Sequence, residues 1–362
     1  LDNPNVATLG SNQKRVITMP IQTTTIGAYP KPDYVPIPDW FQEESTTTKD
    51  PTRALDNCST CQGPEADELL DRATREVILE QVRIGIDVPS DGEVRRENYI
   101  HYHCRHMEGI DFEHLTRKSM RDGQWVVEVP TISAPVKAGS EFLVRDWRVA
   151  QAVTEHPVKI TLPGPLTIID STFNAFYDDE RILAADLAAA INAEVRKLAQ
   201  AGCRWIQVDE PIFAREPDKA LAFGLENIER CFHGLPASVN RAIHICCGYP
   251  DRLDSDGYEK APAENYFRLA PALDEAALDV ISIEDAHRPN DLALLELFKK
   301  RRVILGVIGI ARSRIEPIEE IASHLRNALE HIDRERLMAA PDCGLGMLSR
   351  RQVESKLENM VA

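Results

Sequence analysis

Short apolar, β-rich runs alternate with longer stretches of three- and four-residue apolar spacing along most of the chain. Runs of the first kind read as buried strands, and the spacing of the second kind reads as helices laid over them. Eight such runs stand at 23–28, 84–91, 158–162, 204–209, 242–246, 280–284, 303–308 and 337–342. Helical periodicity occupies 65–83, 180–201, 317–331 and 350–360, and is clearest in Ile182, Leu183, Leu187, Ile191, Val195 and Leu198. The alternation predicts parallel β/α units, and eight strands close a (β/α)8 TIM barrel, an α/β fold. Two segments break the pattern. Residues 34–64, rich in Pro, Thr and Asp, read as a long loop after the first strand, and 124–136 as an inserted hairpin or extended arm.

The length of 362 residues suits one such barrel with insertions, so 1–362 is expected to be a single catalytic domain. With 42 Lys and Arg against 58 Asp and Glu, the net charge of -16 opposes nucleic acid and anionic membrane faces. No apolar run reaches the roughly 20 residues of a membrane span, and the first fifteen residues lack a hydrophobic leader, which points to a cytoplasmic protein. Eight Cys are too sparse for a disulfide scaffold and read instead as buried residues, reactive thiols or metal ligands.

A parallel barrel carries its active site at the carboxyl ends of its strands. There the sequence places Asp91 and Glu93 (SDGE), Asp209 and Glu210 (QVDEP), His244, Cys246 and Cys247 (HICC), Glu284 (SIED) and Cys343 (PDCG). His244 and Cys246, two apart on a strand, face one side, and Cys247 faces the other. With Glu284 and Cys343 they supply one nitrogen, two sulfurs and one oxygen, a set suited to tetrahedral Zn2+ with the carboxylate as its most exchangeable member. Singly, each of these is as readily a buried barrel residue.

The segments TTTIGAYP, GIDVPSDGEVRRENY, LPGPLTII, WIQVDEPIF, IHICC, DVISIE and APDCGLG resemble, in order, the catalytic half of cobalamin-independent methionine synthase. The likeness runs from about Thr23 to Leu345 and is closest to the short, single-barrel branch of that family. It implies zinc on His244, Cys246, Glu284 and Cys343. It also implies that Glu93 and Asp209 hold the amino group of homocysteine, and that the chain near Ile26–Ala28 receives its carboxylate through backbone N–H groups, although the family's usual Ser is Ala28 here. Two carboxylates match an ammonium and oppose a sulfonate.

Two departures concern the methyl donor. Folate-using members follow the GPxT element with Asn-Trp, whose indole lies against the pterin, whereas this chain reads Ile169-Asp170-Ser171. They also carry a proton-donating His on the seventh strand, where this chain reads Gly309-Ile310-Ala311-Arg312-Ser313. An amine leaving group needs protonation, so both losses argue against methyltetrahydrofolate and for a donor with a better leaving group, of which a methylated corrinoid protein is one candidate. The leading reading is therefore zinc-dependent methylation of a small thiol, homocysteine to methionine. A second is thiol alkylation with other partners, such as epoxide opening by coenzyme M, with Lys31, Arg95, Arg96, Arg312 or Arg314 meeting the sulfonate. A third is a non-catalytic zinc- or thiol-binding relative. Cys58 and Cys61, and the group His101, His103, Cys104 and His106, read as packing or loop-stapling residues and not as a second metal site.

Overall fold

A computed structural model describes residues 20–37, 51–120, 125–248, 252–255 and 260–362. Its main sheet is parallel throughout, in the order β1 (Gln22–Thr23), β10 (Leu337–Pro341), β9 (Arg302–Ile308), β8 (Val280–Ile283), β7 (Asn240–Ile245), β6 (Trp205–Asp209) and β4 (Lys159–Pro163). Between β1 and β4 the circle is completed by the segment 86–90, through single bridges from Thr24 to Val88 and from Ser90 to Lys159. All eight expected runs become staves of one barrel. The first two are joined chiefly by hydroxyls: Thr24 Oγ1 donates to the Val88 carbonyl at 2.7 Å, Thr25 Oγ1 accepts from the Ser90 N–H at 3.0 Å, and Ser90 Oγ donates to the Gly27 carbonyl at 2.7 Å.

Helices cover the outside. The longest, Glu180–Ala201, buries Leu183, Leu187, Ile191, Val195 and Leu198 against the sheet. It begins at Asp179, whose carboxylate accepts from the Arg181 N–H, and ends at Gly202, where φ of 117° is open to glycine alone at low cost. Ile182, counted above with the apolar face, is instead solvent-exposed. The helix expected at 65–83 spans Pro64–Ile84, and the last, Arg350–Val361, starts from a Ser349/Gln352 capping box.

Inside the barrel Ile26, Val88, Trp205, Ala242, Val280, Ile304, Met338 and Ala340 form an apolar plug separate from the core between sheet and helices. Polar side chains stack above it. The insertion is an antiparallel hairpin, β2 (Met107–Met120) with β3 (Trp125–Ala138), extended by β5 (Phe173–Asn174). The sequence showed only its second strand, because the register of β2 shifts at Glu108/Ile110 and Asp111/Thr116 and breaks the period of two. Lys118 Nζ on β2 ties the hairpin to the barrel through the carbonyls of Ile169, Asp170 and Thr172.

The expected long loop falls partly outside the described residues; its described part contains the helix Pro51–Asp56 and a 3-10 turn, Ser59–Cys61. Cys58 and Cys61 are joined as a disulfide, which staples that turn. No described helix is long and apolar enough to cross a membrane.

Candidate metal and substrate site

The strand ends converge as the barrel requires. On β6 and β7 alternate residues point inward, so Gln207 and Asp209 stand beside Ala242 and His244 in register, and Cys246 follows at the rim. The ligand atoms of His244, Cys246 and Cys343 all lie within 4.8 Å of one another, and no other such cluster of three occurs among the described residues. His244 Nδ1 is 2.9 Å from Ser282 Oγ, while the buried Nε2 has no partner. A proton on Nδ1, donated to the hydroxyl, leaves the Nε2 lone pair facing the two sulfurs.

Cys246 is held well below the ordinary thiol range by the adjacent Cys343 thiol and the nearby His244 imidazole, against the cost of burial. Cys343 is pushed well above it by the same contact and by burial. The thiolate character falls on Cys246, to which Cys343 offers its hydrogen, an arrangement that a cation would complete. An unpartnered buried imidazole nitrogen beside two thiols fits zinc.

Glu284, expected as a fourth ligand, stands at the same rim but outside this trio, where its carboxylate pairs with Lys260. Burial, opposed by Lys260 and reinforced by Asp342 and Cys246, raises its pKa to about 8. Asp342 locks the ends of β8 and β10 together by accepting from the N–H groups of Asp285 at 2.9 Å, Ala286 at 2.9 Å and His287 at 2.7 Å.

Asp209 stands next to His244 on the neighbouring stave, and Glu93 lies at the same rim. Glu93 follows Gly92 in a tight turn, and its own φ of 54° is unusual for a residue with a side chain. The turn aims the carboxylate at Gly27, where a Cβ would lie 2.6 Å from Glu93 Oε1. Oε1 accepts from Thr161 Oγ1 at 2.6 Å and from Arg96 at 3.2 Å. Asp209 Oδ1 accepts from Gln207 Nε2 at 2.7 Å. The second oxygen of each carboxylate, Glu93 Oε2 and Asp209 Oδ2, makes no hydrogen bond among the described residues. Burial raises both groups, Asp209 to about 7, with His244 pulling it down and Glu93 pushing it up. The side chain of Ile26 belongs to the apolar plug, and Ala28 sits under Gly344 with its carbonyl accepting from Leu345 N–H at 2.7 Å. The N–H groups of Ile26, Gly27 and Ala28 have no backbone acceptor among the described residues.

Several site residues escaped the sequence reading. Thr161, Gln207, Lys159, Ser282 and Lys260 each touch an expected site residue or its neighbour. For Gln207 and Ser282 the signal was present, since each stands two positions before an inspected acid on the same strand. The arginines proposed for a sulfonate are already engaged: Arg95 with Asp67, Asp71 and Asp146, Arg96 with Asp91 and Glu93, and Arg314 with Glu320. Arg312 is exposed. His101 is fully committed, Nδ1 to Thr52 Oγ1 at 2.6 Å and Nε2 to the Ser171 carbonyl at 3.0 Å.

The rim of this parallel barrel joins an imidazole, two thiols and two carboxylates that, among the described residues, each leave one oxygen without a hydrogen bond, the donor set of a metal-dependent enzyme. Residues 21–227 and 262–362 match the family described as cobalamin-independent synthase, catalytic domain, and the chain belongs to that family. The matched segments carry Glu93, Asp209, Glu284 and Cys343, whereas His244 and Cys246 fall in the interval between them.

The chain is 30% identical to methionine synthase of Sulfolobus acidocaldarius over 94% of its own length and 90% of that protein. It is 29% identical to methionine synthase of Saccharolobus solfataricus over 94% of its length and 93% of the relative. Among solved structures, the B12-independent methionine synthase of Shewanella sp. W3-18-1, in complex with selenomethionine, superposes with a TM-score of 0.81 at 30% identity. It covers 94% of this chain and 95% of that one.

Proposed function

We propose that this chain is a zinc-dependent S-methyltransferase that converts homocysteine to methionine, working as one barrel domain in the cytoplasm. The observation that carries this reading is the convergence of His244, Cys246 and Cys343 at a rim where Glu93 and Asp209 each keep, among the described residues, one oxygen without a hydrogen bond.

In this reading His244 Nε2 and the sulfurs of Cys246 and Cys343 hold the metal, and Glu284 is its exchangeable fourth ligand, with Lys260 beside the carboxylate. Bound zinc supplies Lewis acidity that brings a substrate thiol from a pKa of about 8.5 to below neutrality. Glu93 Oε2 and Asp209 Oδ2 receive the ammonium, and the N–H groups along Ile26–Ala28 receive the carboxylate. These contacts fix the thiol sulfur in line with the methyl carbon. The S–CH3 bond forms as the bond from methyl to donor breaks, the electron pair leaves with the donor, and the thiol proton goes to solvent.

Ser171, almost wholly buried, and Ala311, fully buried, leave no indole and no acid on the donor side. A donor whose leaving group needs no proton suits that face, and a methylated corrinoid protein has this chemistry. A sulfonate thiol such as coenzyme M is disfavoured, because Arg95, Arg96 and Arg314 are spent on carboxylates.

Metal analysis together with homocysteine titration tests the reading. One zinc per chain and release of a proton on homocysteine binding near neutral pH are expected. Absence of zinc after reconstitution, or binding without proton release, would contradict it.

A further inference from the structure

Lys159 lies on β4 beside Trp205 of the apolar plug and is completely buried. Among the described residues no carboxylate lies within ion-pair range of it, and its Nζ donates to one side chain, Gln207 Oε1, at 2.7 Å. An ammonium in such a place is costly unless it holds something in position. A methionine would fill the same space, as Met338 does in the adjoining plug. Burial draws the lysine down to about 7, against the pull of Asp209 and Glu93.

The Gln207 amide supplies the reason. Its oxygen faces Lys159, and its nitrogen divides between Asp209 Oδ1 at 2.7 Å and the Ile26 carbonyl at 3.0 Å. An amide has one accepting and one donating end, so a donor on one side and two acceptors on the other permit a single orientation. That orientation occupies Asp209 Oδ1 and leaves Oδ2 facing the site. It also pins the peptide of Ile26, whose neighbouring N–H groups open onto the same space. One buried relay thus joins the carboxylate that meets an ammonium to the backbone that meets a carboxylate.

We propose that Lys159 and Gln207 are positioning residues that lock the two halves of an α-amino-acid head-group pocket into register without touching substrate. The proposal rests on the homocysteine reading and goes beyond it by assigning the selectivity for an amino acid to a layer beneath the site.

Calorimetric titration of the zinc-loaded protein with homocysteine and with propanethiol, which keeps the thiol and lacks both charged groups, tests it. Charge-assisted hydrogen bonds of this kind set the scale, so Lys159→Met and Gln207→Leu should each weaken homocysteine by about 10- to 100-fold. Propanethiol binding should change by less than about twofold, zinc content should be kept, and the loss should appear in KM more than in kcat. Gln207→Leu carries the test if the lysine variant does not fold. Equal weakening of both thiols, or unchanged homocysteine affinity in Gln207→Leu, would overturn the proposal. If the wild-type protein binds the two thiols equally, the homocysteine reading fails first and takes this inference with it.

Discussion

The barrel rim has two unlike sides. On β7, β8 and β10, His244, Cys246, Glu284 and Cys343 are braced from behind by Ser282 and Asp342, and the buried Nε2 of His244 has no partner. Beyond β4 and β9 stand Ser171 and Ala311, both buried, and the Ser171 carbonyl lies 3.0 Å from His101 Nε2. The first side gathers an imidazole, two thiols and a carboxylate, whereas the second offers a hydroxyl and a methyl group, and in the proposed reading the thiol is activated on the first side.

The sharpest way to break the comparison is to remove a sulfur. Cys246→Ser or Cys343→Ser should strip zinc and lower methyl transfer by at least about a thousandfold, since residues acting as a unit fail together. Metal content measured beside activity checks this, and a Cys343→Ser protein with full zinc would remove that residue from the site.

Next in size is Asp209→Asn, which should weaken homocysteine by about 10- to 100-fold, because an amide replaces an acceptor for a charged donor. Direct binding measurement decides it, and unchanged affinity would make the carboxylate structural.

On the donor side the largest effect belongs to stability. Burial holds His101 down at about 4, from an ordinary 6.5, with nearby Arg105 also lowering it and the bond to Ser171 opposing. The unfolded chain therefore binds a proton between these values that the folded chain refuses. Stability is full above pH 6.5 and is lost as pH falls toward 4, by roughly 3 kcal/mol at about 1.4 per unit. Urea unfolding of the wild type and of His101→Gln at pH 7 and at pH 4.5 measures the difference, and parallel losses in the two proteins would refute the assignment. Smallest of all, Ser171→Ala should shift unfolding by less than about 0.5 kcal/mol, because the position is used through its backbone carbonyl. A larger loss in thermal unfolding would place its hydroxyl in the site.

The sequence reading found the eight staves because barrel strands are short, apolar and regularly spaced, and it named His244, Cys246 and Cys343, which the structure brings together, because His244 and Cys246 share a face by period two. It missed β2, whose bulges disrupt alternation, and it placed Ile182 on the wrong face at the first turn of its helix. It also missed the pairing of Glu93 with Arg96 and of Glu284 with Lys260, and the relay under Asp209. Glu284 and Lys260 stand 24 residues apart, while Glu93 with Arg96 and Gln207 with Asp209 are close in sequence but meet only through a tight turn and the inward face of a stave. Side-chain counterions inside a barrel depend on register and shear, which periodicity does not report.

The central claim is that a complete thiol-activating side is joined to a donor side unsuited to folate. The measurement that bears on it most directly is methionine formation by the zinc-loaded protein from homocysteine, with methylcobalamin and with methyltetrahydrofolate as alternative donors. Transfer from methylcobalamin, with folate slower by orders of magnitude, is the predicted result. Turnover with methyltetrahydrofolate at about 1 per second or faster would contradict it.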